Sequence, residues 1–209
     1  ANEVDPDANV VETNTVEPPP VEIPDGEEEG AIVFGGASWS NEEAQVEIST
    51  ETEYSIEYQI NGEEEGSWKA IENNGIVEGL SHGDVINARL TDGSNHGDYA
   101  SYTVADGIVP ANAKIELNPT SAMVGDTITA LVNQIDNESG VNATASKWIF
   151  STTAGEIGTE DSSYTGTVAG TYGTFTKSEE EIQIKAVGEG EYYLHVLTVD
   201  KAGNKKETI

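Results

Sequence analysis

Apolar and polar residues alternate with a period of two along most of the chain, and no stretch carries the i, i+3, i+4 stripe of an amphipathic helix. In 44–50, Val46 and Ile48 share a face and Glu47 lies opposite. In 54–62, Tyr54, Ile56, Tyr58 and Ile60 share a face before Asn61-Gly62, a pair that favours a tight hairpin turn. The pattern predicts a return strand at 67–71, a turn at Asn74-Gly75, and strands at 76–80, 84–93 and 98–106. In 84–93, Val85, Asn87 and Arg89 alternate with Ile86, Ala88 and Leu90.

The second half behaves likewise. Strands are predicted at 113–119, stopped by Pro119, and at 126–135, 145–152, 180–187, 191–200 and 205–209. In 191–200, Tyr193, His195 and Leu197 face one way, and Tyr192, Leu194, Val196 and Thr198 face the other. Both faces are largely apolar, which predicts a central strand. The segment 153–178 is rich in Gly, Ser and Thr and reads as edge strands and loops. Many short strands with closely spaced turn signals predict an all-β chain of two tandem β-sandwiches.

Composition sets the boundaries. Residues 1–30 hold ten acidic side chains, no Lys or Arg, no aromatic residue and the run Pro18-Pro19-Pro20. Such a segment cannot bury enough apolar surface to order itself, so a disordered, extended acidic arm is expected there. Gly107 and Pro110 mark a short linker at 107–112. The expected units are therefore 31–106 and 113–209, both of ordinary domain size.

Charge narrows the function classes. The 209 residues carry 9 Lys plus Arg against 39 Asp plus Glu, a formal net charge of −30. Phosphate backbones need clustered cations, so no nucleic-acid partner is expected. The chain has no Cys, which excludes disulfides, thiolate metal sites and a cysteine nucleophile. No apolar run reaches membrane-span length.

Some motifs are familiar. "YSIEYQING" followed by Trp68, and then Leu80, Gly83 and Arg89 within "VEGLSHGDVINARLTDGSNHG", resemble a fibronectin type III or related bacterial Ig-like repeat, with Ile86 where that family usually has Tyr. "NPTSAMVGDTITA" and "GEGEYYLHVLTVDKAGNKKE" resemble the opening and closing strands of Ig-like repeats from Gram-positive surface proteins. The resemblance implies tandem extracellular modules within a larger protein. It implies a non-catalytic structural or adhesion stalk, or else a carbohydrate-binding accessory module of a glycan-degrading enzyme. A monomer meeting an extracellular glycan or host matrix protein is the expected partnership.

Candidate chemistry is sparse. His82, His96 and His195 form no metal-binding spacing, and no nucleophile elbow or phosphate loop occurs. No cofactor is expected, calcium being the candidate exception. Asp92, Asn95 and Asp98 place oxygen atoms along one loop, as a Ca²⁺ site needs, although turn chemistry alone selects the same residues. Asp136 with Glu138 and Asn142, and Asp200 with Asn204, read as self-bonded turns of the same kind. Trp39, Tyr54, Tyr58 and Trp68 are the candidate sugar-stacking platform. Lys114 and Asn204 are candidates for an intramolecular isopeptide bond, such as Gram-positive surface domains sometimes carry.

Overall fold

The computed structural model describes residues 22–62 and 66–209. The first unit contains β1 (Val33–Phe34), β2 (Ser38–Ser40), β3 (Glu43–Ser49), β4 (Ser55–Ile60), β5 (Lys69–Ile71), β6 (Gly75–Leu80), β7 (Val85–Thr91) and β8 (Ala100–Thr103). In one sheet β3 is central, with β1 and β2 along one edge and β6 along the other. The second sheet runs β5-β4-β7-β8, and all pairs are antiparallel. Alternation seals the interior. Ala44, Val46 and Ile48 from β3 meet Ile86, Ala88 and Leu90 from β7 in one fully buried cluster.

The second unit contains β9 (Lys114–Asn118), β10 (Thr127–Asn133), β11 (Lys147–Ser151), β12 (Tyr172–Thr174), β13 (Glu179–Lys185), β14 (Tyr193–Val199) and β15 (Lys205–Thr208). Its sheets run β13-β10-β9 and β12-β11-β14-β15. This is the strand order of the first unit, with its edge pair β1 and β2 replaced by the single strand β9. The core gathers Ile128, Ala130 and Val132 from β10, Ile182 and Ile184 from β13, and Leu194 and Val196 from β14. The chain is thus all-β, built as two antiparallel sandwiches.

β14 is buried on both faces, as its composition predicts. The covering layer comes from 153–178. A 3₁₀ turn, Asp161–Tyr164, lies over the outer face, and Tyr164 packs with Leu197 and Val199 in a second apolar cluster supported by Ile149 and Ile157. Asp161 anchors this layer to two strands, accepting from Lys147 on β11 at 2.9 Å and Lys205 on β15 at 2.8 Å.

The acidic arm needs a correction. Residues 1–21 lie outside the described residues, as does the acidic run 63–65, but 22–30 is folded onto the first sandwich. Ile23 is buried in the core. Gly26 N–H donates to Asp98 O at 2.8 Å and Glu51 N–H to Gly30 O at 2.8 Å. Gly26 is needed there, because a Cβ would sit 2.6 Å from Ala100 N. The acid-rich composition hid a segment fixed by one isoleucine and its main-chain bonds.

Hydrogen bonds from Lys205 and Lys147 hold the Asp161 carboxyl down at about 2. A depressed carboxyl stabilises the fold above its ordinary value of about 4 and loses that contribution as the pH falls toward 2. Asp161→Asn therefore flattens the acid limb of stability between pH 4 and 2, measured as the denaturation midpoint against pH.

Candidate functional site

The connection between the sandwiches has little slack. From Val104 to Ala113 the chain leaves β8 and is bonded to both units. Asp106 N–H donates to His82 Nδ1 at 3.0 Å in the first unit. Ser139 N–H of the second unit donates to Asp106 Oδ2 at 3.1 Å, and Ala111 N–H donates to Ile135 O at 3.0 Å. The β2–β3 hairpin reaches across as well. Its tip, Asn41 and Glu42, has φ of 53° and 66°, the left-handed pair of a primed two-residue turn. For Glu42 that conformation costs roughly 1–2 kcal/mol. The strained tip is docked: Glu42 N–H donates to Asn137 O at 3.1 Å, and Lys201 Nζ donates to Glu42 Oε2 at 2.9 Å.

Two loops of the second unit face this tip, 134–142 and 200–204. They are built alike. Gly140 N–H donates to Asp136 Oδ2 at 2.7 Å, and Asn204 N–H donates to Asp200 Oδ1 at 2.7 Å, each closing a loop from i+4 back to i. Lys201 N–H then donates to Gly140 O, and Val141 bridges Asp200, tying the loops together. Asn204 Nδ2 donates to Asp200 Oδ2 at 2.8 Å and to Asp106 O at 3.2 Å.

The result is a cluster of three buried carboxylates, Asp106, Asp136 and Asp200, whose ligand oxygens lie within 4.8 Å of one another. None of them belongs to an ion pair among the described residues. Asp106 and Asp200 have both oxygens met by N–H donors. Asp136 Oδ1 has no hydrogen-bond partner, although the residue is only 6% exposed. Burial pushes the Asp136 carboxyl up to about 6 against the Gly140 N–H, and the Asp200 and Asp106 charges push the same way. Such a set is all oxygen and strongly anionic, which suits hard divalent cations and offers nothing to soft ones.

The loop singled out from the sequence is arranged differently. Asp92 Oδ1 accepts from Ser94 and Asn95 N–H at 2.8 and 2.7 Å, and Asp92 Oδ2 accepts from Asn95 Nδ2. Those N–H groups of Asn95 and Ser94 hold the exposed Asp92 carboxyl below its ordinary value. Asp98 is tied through its main chain to Asp25 and Gly26 instead. Asp136 and Asp200 do form self-bonded turns, but the turns converge on Asp106, a residue that sequence reading left as the end of a strand.

The aromatic residues are dispersed. Trp39, Tyr54 and Tyr58 pack half-buried against the first core. Trp68 lies apart from that cluster, with the Arg89 guanidinium 4.0 Å over its ring and Tyr99 tilted beside it at 6.2 Å. Tyr99 is 52% exposed. Tyr102 instead stacks on Phe34 at 5.5 Å and accepts from Ala37 N–H. Lys114 is exposed and registers opposite Asn133, while the Asn204 amide is engaged by Asp200 and Asp106.

One array has an enzyme-like spacing. Ser151 Oγ is 3.2 Å from His195 Nε2, and His195 Nδ1 is 2.9 Å from Glu207 Oε1. His195 Nε2 also lies 2.9 Å from Thr153 O, which can only accept, so Ser151 shares that ring nitrogen with a main-chain carbonyl. Glu207 further accepts from the Ile157 and Gly158 N–H groups. The array ties the covering layer to the sheet, which explains a histidine in the middle of an apolar strand.

No protein-family model matches the chain, and no curated protein matches it. Among solved structures, a chain from the crystal structure of mouse coronavirus receptor-binding domain complexed with its murine receptor aligns at 11% identity, over 85% of this chain and 96% of that one, with TM-score 0.36. The fibronectin(III)-like modules of Clostridium thermocellum CbhA align at 14% identity, over 85% of this chain and 91% of that one, with TM-score 0.29. Likenesses of that size bear on neither function nor site, and the sandwich assignment stands on the strand pairing.

Asn204→Ala removes the side-chain donor shared by Asp200 and Asp106 O. The second unit then loses about 1–3 kcal/mol, the usual cost of stranding buried polar groups. Denaturant unfolding in chelator, with both units followed separately, measures the loss.

Proposed function

We propose that this chain is a non-catalytic structural segment that holds two β-sandwiches in fixed relative orientation, as a stalk or spacer within a secreted or surface-exposed protein. The observation carrying this reading is the junction: Asp106 donates to His82 on one side and accepts from Ser139 and Asn204 on the other. A flexible tether needs none of these bonds, and it gains nothing from a strained hairpin tip docked on the next unit. The net charge of −30 fits an exposed, soluble surface that repels its own copies. The resemblance of the first half to fibronectin type III or bacterial Ig-like repeats, and of the second to repeats of Gram-positive surface proteins, supports an extracellular setting.

A second reading, a carbohydrate-binding accessory module, is favoured by one feature. Trp68 and the exposed Tyr99 adjoin each other on the β5-β4-β7-β8 sheet side, and a half-exposed aromatic pair can stack on a sugar face.

For the stalk reading, residual dipolar couplings from the two sandwiches of the wild-type chain fit a single alignment tensor. Inserting Gly-Gly after Gly107 leaves both units folded but splits the tensors. Two tensors in the wild type would contradict a fixed orientation. For the second reading, an array of extracellular glycans yields a saturable hit that Tyr99→Ala weakens at least tenfold; a stalk alone yields no hit.

A further inference from the structure

Three buried carboxylates without a counter-ion form the least self-sufficient part of the fold. Transferring ionised groups out of water is unfavourable unless opposite charge meets them. The N–H groups of Ile108, Ser139, Gly140 and Asn204 orient the carboxylates but carry no charge to offset them. The nearby Lys201 is paired with Glu42 and is half exposed.

One observation beyond the acidity points to a ligand at the cluster. Asp136 Oδ1 is sealed from solvent and has no donor. Gln134, two residues earlier and 3% exposed, also has both side-chain polar atoms without a partner. Gln134 and Asp136 line one cavity of about 230 Å³, together with Glu42 of the first unit and Asn133. Asp136 is the one residue shared by this cavity and the carboxylate cluster, and at the cluster itself the unpartnered acceptor is Asp136 Oδ1.

We infer that Asp106, Asp136 and Asp200 bind one Ca²⁺ ion at the junction, locking the linker to loops 134–142 and 200–204. This deepens the stalk reading and rests on it for its purpose, though the binding itself does not. The three oxygens lie within 4.8 Å of each other, close enough to share one ion. Mg²⁺ usually takes one or two protein carboxylates and keeps its waters, so three converging carboxylates favour Ca²⁺. Each carboxylate is also held by a main-chain N–H, the kind of outer support that fixes metal ligands in place. The three residues come from the linker and from two separate loops. Only a docked junction assembles them, so the ion binds the docked state in preference to an undocked one.

The test is calorimetric titration of the full chain, stripped with EDTA, with CaCl₂ and separately with MgCl₂. Asp136→Asn, Asp200→Asn and Asp92→Asn variants run alongside, each checked for folding by circular dichroism. The expected result is one equivalent of Ca²⁺, affinity at least tenfold above that for Mg²⁺, loss of at least a hundredfold in Asp136→Asn and Asp200→Asn, and no change in Asp92→Asn. If Asp200→Asn does not fold, Asp136→Asn decides alone. At a hundred times Kd, Ca²⁺ shifts the unfolding equilibrium of the second unit about a hundredfold. Absence of saturable heat and of any thermal shift at millimolar Ca²⁺ overturns the inference, as does equal binding of Mg²⁺ or binding that follows Asp92. The dipolar-coupling experiment separates the two ideas. A single tensor without Ca²⁺ binding leaves the stalk and removes the ion; Ca²⁺ binding with two tensors leaves the ion and removes the stalk.

Discussion

A carboxylate carried out of water has to be met by donors or by positive charge, and at the junction of this chain three are carried in together. Asp106, Asp136 and Asp200 sit where the linker passes between the sandwiches, and their acceptor oxygens draw in N–H groups from Ile108, Ser139, Gly140 and Asn204. With the bond from Asp106 N–H to His82, they make the linker part of both units. The hairpin tip at Glu42 then docks on loops that the same carboxylates have shaped. Without the acids, the linker keeps its main-chain bonds, Asp106 N–H to His82 and Ala111 N–H to Ile135 O, and the docked hairpin tip beside it.

The two units solve the same packing problem with different resources. The first closes its core with alternating strands and with Ile23 from the preceding acidic segment. The second buries its central strand on both sides, using the long 153–178 segment as a lid over β14. His195, Glu207 and Asp161 are the polar fastenings of that lid. The Ser151–His195–Glu207 array is part of that fastening: Glu207 accepts from the Ile157 and Gly158 N–H groups, and the far nitrogen of His195 lies against the Thr153 carbonyl.

Most strands were legible from sequence because β-branched residues alternate cleanly, as Val46 and Ile48 or Ile182 and Ile184 do. The two-sided burial of β14 was legible from the apolar character of both its faces. The short pieces β1, β2 and β12 were not, since two or three residues carry no period. The fold of 22–30 was hidden by its acids, because its ordering depends on a pocket formed elsewhere. The candidate site was half visible. Asp136 followed by Gly140, and Asp200 followed by Asn204, are the same device at the same spacing. A chain reader can see two such turns but not that they meet Asp106, since the meeting is made by contacts between residues 33 and 98 positions apart.

The most direct measurement of the central claim is a crystal structure at high resolution from crystals grown in Ca²⁺. The account predicts one strong peak enclosed by Asp106, Asp136 and Asp200, with carboxylate oxygens about 2.3–2.6 Å away and the hairpin tip docked as described. A junction with no such peak, or with the three carboxylates turned apart to solvent and the linker extended between separated sandwiches, would contradict it.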